Sequence, residues 1–204
     1  MPNAKSIQNP KPVLREAEGS KIHNRFETRL SGEGGQGIIM GGAILAEAAI
    51  LHEGRYAVQS PTYGSRVRGG PTKVDVIVSD EEIIFPRATA INFYLSLAQT
   101  SFDKYGSDLA EDVIILVDQN LVPNVPQNNT RTVYRYPFVE VAKNEMGNVV
   151  LSNIIALATM VELTDVVSRE ALWAAIQARV PEKYLDLNRQ AMEKGFEVAA
   201  QLRD

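Results

Sequence analysis

The chain has 204 residues, of which 45% are hydrophobic, and a formal net charge of −4, which together predict one soluble globular domain with its own core. The acidic balance gives no electrostatic basis for a nucleic-acid or membrane partner, and no apolar run reaches the roughly 20 residues of a membrane span, so we expect a cytoplasmic protein. Because the chain has no cysteine and only two histidines, we expect no metal site, and any redox cofactor should be bound by another chain.

The first 24 residues are predicted to form an N-terminal arm. They contain Pro2, Pro10 and Pro12, several lysines and few large apolar side chains. This composition favours a flexible arm in the isolated chain, and the alternative is an arm that becomes ordered on a partner subunit. The folded domain is expected to span residues 25–204.

A glycine-rich loop follows the first predicted strand, residues 26–31. Gly32, Gly34 and Gly37 match the G-x-G-x-x-G spacing, and the apolar run after them predicts a helix over residues 37–52. A glycine turn that leads into a helix leaves backbone N–H groups free to bind an anion. Glycines also serve simply to make tight turns, so the surrounding sequence has to decide between the two roles.

The second predicted strand, Tyr56 to Gln59, argues against a dinucleotide site. Such a site needs an Asp or Glu at the end of this strand to hold the ribose hydroxyls, and Ser60 comes there instead. Glu53 lies before the strand. The sequence therefore disfavours NAD(P) binding, and a P-loop is excluded because no Gly-Lys-Ser/Thr follows the glycines.

Residues 60–71 form a loop by composition, with two arginines among glycines. Arg66 and Arg68, next to Gly69 and Gly70, offer bidentate donors that suit a phosphate or a carboxylate. A subunit contact and a pair of solvated side chains are the other interpretations, and residue chemistry alone leaves all three open.

The rest of the chain alternates strands and helices before ending in helices. Predicted strands cover residues 73–78, 82–85, 91–97, 113–117 and 131–136, and predicted helices cover residues 99–105, 153–163, 168–179 and from 184 or 187 to 202. This order predicts an α/β fold: a three-layer α/β/α single domain with a mostly parallel sheet and a helical C-terminal third.

No catalytic constellation can be assembled from the polar residues. Asp118 follows an apolar strand, where a turn-forming role is the more typical one, and no nucleophile, base and orienting group occur together. We therefore expect no catalytic residue and no metal ligand on this chain.

Three groups of motifs resemble the gamma subunit of the 2-oxoacid:ferredoxin oxidoreductases, the family that acts on pyruvate, 2-oxoglutarate and 2-oxoisovalerate and includes arylglyoxylate variants. The resemblance covers roughly residues 26–202. It rests on the glycine loop with its helix, on a second group of motifs around the arginines, and on a third near the C-terminus: Gly32 to Gly37 with Ala43 and Leu45; Tyr63-Gly64 with Arg68-Gly69-Gly70; and Asn153, Lys183, Asn188 and Gly195-Phe196.

This resemblance implies a subunit that is inactive alone, within a complex that oxidatively decarboxylates a 2-oxoacid to acyl-CoA. Thiamine diphosphate, magnesium and 4Fe–4S clusters would lie on alpha, beta and ferredoxin-like delta subunits, and ferredoxin or an NAD-reducing subunit would accept the electrons. Position 66 and residues 60–62 depart from the pattern, which makes Arg66 a weaker candidate than Arg68. The proline-containing arm also departs from it, which is compatible with a variant complex, such as one that acts on an arylglyoxylate or delivers electrons to NAD through an added subunit.

The glycine loop is then expected to help form the coenzyme A site or the channel to the thiamine. The candidate cofactor-binding residues are Gly32, Gly34, Gly35, Gln36, Gly37, Tyr63, Arg66, Arg68, Gly69 and Gly70. Replacing Arg68 by alanine should raise the coenzyme A requirement and leave decarboxylation unchanged. The alternative function is a stand-alone nucleotide- or acyl-CoA-binding regulatory module.

Overall fold

The computed structural model describes residues 25–64, 69–107, 109–126 and 130–204. The predicted arm and two candidate site residues, Arg66 and Arg68, lie outside these ranges.

A six-stranded sheet forms the centre of the domain, with the strand order β2-β3-β1-β4-β5-β6. Within the described ranges only β3 runs against the others, pairing antiparallel with both β1 and β2, so the predicted mostly parallel sheet is confirmed. The strands are β1 Arg25–Glu33, β2 Tyr56–Thr62, β3 Pro71–Ser79, β4 Phe93–Ser96, β5 Ile114–Asp118 and β6 Thr132–Tyr136.

Helices connect the strands and make up the C-terminal third. The α-helices are α1 Ile38–Glu47, α2 Gln99–Tyr105, α3 Phe138–Met146, α4 Ser152–Thr164, α5 Arg169–Arg179 and α6 Leu185–Arg203. A π-helical turn, Ala48–His52, continues α1, and short 3-10 helices occupy Val149–Leu151 and Glu182–Tyr184.

The two faces of the sheet are covered unequally. Five of the helices, α1 and α3 to α6, contribute to one large apolar core, and α4 is buried along almost its whole length. The opposite face carries a smaller core, in which Tyr94, Phe102 and Ile115 pack under α2 and the segment after β5. Three layers are present as predicted, but one of them is thin.

The predicted strand at residues 82–85 is wrong. This segment is irregular, and Ile84 and Phe85 are exposed. β3 ends at Ser79, and no strand of the described sheet pairs with residues 82–85. The Arg25 guanidinium instead binds the carbonyl oxygen of Phe85 at 3.2 Å.

The end of β2 and the presence of α3 also differ from the prediction. β2 continues to Thr62 through Pro61, which is tolerated because β2 lies at the edge of the sheet, where a missing N–H interrupts no ladder on the outer side. Helix α3 was not predicted, because its buried side chains are only Phe138 and Ala142.

No helix within the described ranges combines the length and the apolar character that crossing a bilayer requires.

Candidate functional site

The order in which strands are added to the sheet switches sides at β1, so the carboxyl end of β1 is a topological switch point. From β1 the chain passes through α1 to β2 on one side, whereas β4, β5 and β6 lie on the other side. Loops that leave a parallel sheet in opposite directions separate at such a point, where α/β proteins bind ligands. We call the residues gathered here, 32–37, 62–64, 69–72 and 97–101, the carboxyl-edge site.

The reversed strand β3 brings the second candidate loop into this site. Because β3 is antiparallel to β1, its first residue Pro71 lies opposite Glu33, the last residue of β1. The N–H of Gly34 donates to the carbonyl of Gly70 at 3.1 Å, so the two loops are in direct contact. The structure thus brings the described candidate residues together, and Arg66 and Arg68 lie outside the residues it describes.

Part of the glycine loop packs inward. The Gln36 amide accepts from the N–H of Glu33 at 2.7 Å and donates to the carbonyl of Leu97 at 3.1 Å, which ties the loop to the end of β4. A Cβ atom at Gly32 would lie 2.5 Å from Gln36 Oε1. Gly32 and Gln36 are therefore internal supports of the loop.

Gly37 is the second internal point of the loop. It has a left-handed φ of 75°, and a Cβ atom there would overlap the Asn153 side chain. The buried Asn153 donates from Nδ2 to the Gly37 carbonyl at 3.3 Å, and its Oδ1 has no hydrogen-bond partner. Asn153 therefore belongs to the site, although it was not among the candidate site residues and only its place in the family motifs pointed to it.

Three of the remaining candidate glycines face outward, whereas Gly70 is buried. Gly34, Gly35 and Gly69 are exposed, and Cβ atoms at Gly35 and Gly69 would meet nothing within 4 Å. Tyr63, the residue after β2, also has 68% of its surface exposed. This side of the loop has room for a ligand or for a partner surface.

Unpaired donors lie at the start of α1. Among the described residues, no acceptor binds the backbone N–H groups of Gly37 and Ile38, as expected at the N-cap and first turn of a helix, nor that of Gly35 in the loop before it. The first turn of α1 has no acidic residue. The nearby Glu33 carboxylate accepts from the Thr100 hydroxyl at 3.1 Å. The arrangement can bind an anion through its backbone.

Charged side chains next to the site are paired with one another. Asp75 accepts two hydrogen bonds from Arg29, at 2.7 and 3.1 Å, and one from Lys73 at 2.5 Å. Burial raises the pKa of Asp75, but the bonds and charges of Arg29 and Lys73 outweigh it and hold the pKa below its ordinary value. These two cations are committed to Asp75 and do not extend into the site.

The structure also bears on two interpretations made from the sequence, the role of Asp118 and the dinucleotide site. Asp118 is buried and accepts from the N–H groups of Asn120 and Leu121, both at 3.0 Å, and of Val139 at 2.9 Å, so the turn-forming interpretation is confirmed. The dinucleotide interpretation fails on topology as well, because β3 separates β2 from β1 and moves the end of β2 about 10 Å from the loop.

A family model described as pyruvate ferredoxin/flavodoxin oxidoreductase matches residues 27–198. The chain belongs to this family. It is 40% identical to the 2-oxoglutarate synthase subunit KorC of Methanocaldococcus jannaschii, over 89% of this chain and 98% of that protein.

Solved structures agree with this assignment. The gamma subunit of a keto/oxoacid ferredoxin oxidoreductase from Geobacter sulfurreducens is 44% identical and superposes with a TM-score of 0.79, over 88% of this chain and 99% of the other. The 2-oxoglutarate:ferredoxin oxidoreductase from Magnetococcus marinus, solved with 2-oxoglutarate, coenzyme A and succinyl-CoA bound, shares the fold. Its TM-score is 0.80 at 23% identity, over 88% of this chain and 32% of that one.

The predicted resemblance is therefore confirmed. The chain is a gamma-type subunit of 2-oxoacid:ferredoxin oxidoreductase complexes, which are oxidoreductases, and other subunits are expected beside it. This membership favours a subunit over the stand-alone regulatory module.

Proposed function

We propose that the carboxyl-edge site binds the phosphate-bearing part of coenzyme A, within a complex that converts a 2-oxoacid to its acyl-CoA. The observation that carries the proposal is the set of unpaired N–H groups at the start of α1, next to the exposed Gly34, Gly35 and Gly69. Backbone donors at a helix N-terminus attract a phosphate through both hydrogen bonds and the helix dipole.

The remaining chemistry is proposed to lie on other chains. Thiamine diphosphate, magnesium and 4Fe–4S clusters would be held by alpha, beta and ferredoxin-like delta subunits, with ferredoxin as the electron acceptor. The chain has no cysteine with which to ligate a cluster. Its contribution would be to bind the acyl acceptor and to keep it beside the thiamine.

The substrate that we propose is 2-oxoglutarate. Four relatives, between 31% and 40% identical, are named 2-oxoglutarate synthase subunits, and the chain spans at least 86% of each. An assay of the complete complex with 2-oxoglutarate, pyruvate, 2-oxoisovalerate and phenylglyoxylate tests this. A higher kcat/KM with any of the other three would overturn the substrate proposal and leave the coenzyme A proposal intact.

A charge placed at Gly69 tests the anion site directly. Gly69 has a φ of 72° and open space around its Cβ, and Gly147, at the end of α3, has a φ of 67° and the same open space. Gly69→Asp and Gly147→Asp therefore carry equal backbone strain but differ in position. Gly69→Asn controls for the side chain without its charge.

We expect Gly69→Asp to raise the KM for coenzyme A about tenfold in the complete complex, because a carboxylate facing a phosphate costs roughly 1.4 kcal/mol at a half-exposed site. Gly69→Asn should raise it less than threefold, and Gly147→Asp should leave it unchanged. The KM for the 2-oxoacid should not move in any variant. Equal effects of the two aspartates on the coenzyme A KM would refute the site.

A further inference from the structure

A chain of buried hydroxyl groups lies directly beneath the carboxyl-edge site. The carbonyl oxygen of Gly32 accepts from the Ser101 hydroxyl at 2.6 Å and from the Thr72 hydroxyl at 3.0 Å. Ser101 belongs to α2 and Thr72 to β3, and both side chains are buried. Two separate elements therefore hold the first glycine of the loop.

A second group of hydroxyls continues this chain below Ser101. Ser31 Oγ lies 2.8 Å from the Tyr94 hydroxyl and donates to Ser96 Oγ at 3.0 Å. The Tyr94 hydroxyl lies 3.3 Å from the Ser101 carbonyl oxygen, and Ser96 Oγ lies 3.2 Å from the Ala98 carbonyl oxygen. The last residues of β1 and β4 are thus bonded to the first turn of α2.

Tyr94 remains a neutral donor and acceptor throughout the physiological range. Burial raises the pKa of Tyr94 to about 12, although its hydrogen bonds to Ser31 and Ser96 oppose that shift. The hydroxyl chain therefore needs no counter-charge and does not switch with pH.

The position of these hydroxyls is what distinguishes them from ordinary packing. On the same face of the sheet, β5 is apolar at Ile115 and Val117, whereas the neighbouring strands β1 and β4 carry the hydroxyls of Ser31, Tyr94 and Ser96 at the same level. Burying a hydroxyl costs free energy unless it is hydrogen-bonded, so an apolar residue would fill these places at lower cost if packing were their only role.

We infer that Thr72 and Ser101 are positioning residues that fix the Gly32 carbonyl and thereby aim the N–H groups of the glycine loop at the bound anion. Gly32 is two residues from Gly34, whose own N–H is tied to Gly70. Without Thr72 and Ser101, the peptide unit that contains this carbonyl would keep the Glu33 N–H bond to Gln36 but would lose both hydroxyl donors on its carbonyl side. This inference rests on the coenzyme A site proposed above.

Isosteric variants of two threonines separate positioning from stability. Thr72→Val removes the hydroxyl that binds Gly32. Thr28 lies four residues before Gly32 in the same strand, and its buried hydroxyl donates to the Phe93 carbonyl at 3.1 Å. Thr28→Val removes that hydroxyl. Each change removes one hydroxyl donor from a backbone carbonyl, but only the carbonyl of Gly32 belongs to the glycine loop. Thr72→Ser retains the hydroxyl and serves as the rescue variant.

In the complete complex we expect Thr72→Val to raise the KM for coenzyme A about three- to tenfold, the effect of losing one hydrogen bond, with kcat within about twofold of wild type. Ser101→Ala should act alike, and the double variant should exceed either single one. Thr28→Val should lower the unfolding temperature as much as Thr72→Val does, but it should leave the KM for coenzyme A unchanged. Thr72→Ser should keep the wild-type KM.

Equal KM values for Thr72→Val and Thr28→Val would overturn the positioning role. If Gly69→Asp had meanwhile raised the KM for coenzyme A, the site itself would stand and only its support from Thr72 and Ser101 would be rejected. If Gly69→Asp had no effect either, the proposed site would fail first.

Discussion

The inner and outer sides of the glycine loop use the same residue type for different physical reasons. On the inner side, Gly32 and Gly37 leave space for Gln36 and Asn153, so their lack of a Cβ serves packing. On the outer side, Gly35 and Gly69 have open space around them, and the Gly35 N–H has no acceptor among the described residues. A glycine motif can therefore include residues that never face a ligand, and substitutions on the two sides should fail in different ways.

The largest effect is expected on the inner side, at Gly37. Gly37→Ala combines a left-handed φ with overlap against Asn153, and we expect it to lower the free energy of unfolding by about 2–4 kcal/mol. Gly147→Ala has nearly the same φ in open space and should lose only about 1–2 kcal/mol. Urea unfolding of both variants measures the difference. Equal losses of unfolding free energy would show that the Asn153 side chain can move aside without destabilising the fold.

Gln36→Met distinguishes an internal support from a ligand contact. The change keeps the length of the side chain but leaves the Glu33 N–H and the Leu97 carbonyl without their partner, so unfolding should become easier by about 1–3 kcal/mol. We expect the KM for coenzyme A to rise along with this loss. A raised KM at unchanged stability would instead identify Gln36 as a direct ligand contact.

The smallest effect is expected at Glu33, a half-buried carboxylate next to Gly34. Glu33→Gln removes a negative charge and keeps an oxygen that can accept from Thr100. The KM for coenzyme A should fall about twofold at low ionic strength, and the difference should shrink in 1 M salt because screening weakens exposed charges. A KM that did not depend on the charge at this position would mean that the anion binds on the other side of the loop.

Local patterns made much of this architecture predictable. The glycine turn, the apolar strand that ends at Val117 and the C-terminal helices all follow from residue periodicity and from turn or cap residues. The helix α3 also carried a signal, Pro137 before it and the left-handed Gly147 after it, but its two buried side chains give too weak a periodic pattern.

Pairings between distant segments could not be predicted from those patterns. The insertion of β3 between β1 and β2 depends on which edges of the sheet are free, and periodicity does not carry that information. For the same reason Thr72, Ser101 and Asn153 were not among the candidate site residues, since each meets the glycine loop across at least 40 residues of chain.

Helix α4 forms one wall of the site, and we expect it to resist local unfolding. It is buried from Ser152 onward, and Thr159 in its middle donates to the carbonyl of Gly195 on α6 at 3.0 Å. Amides in such a helix exchange with solvent only when the whole domain opens. Asn153, in its first turn, therefore ties Gly37 to a helix that we expect to be among the last parts of the domain to open.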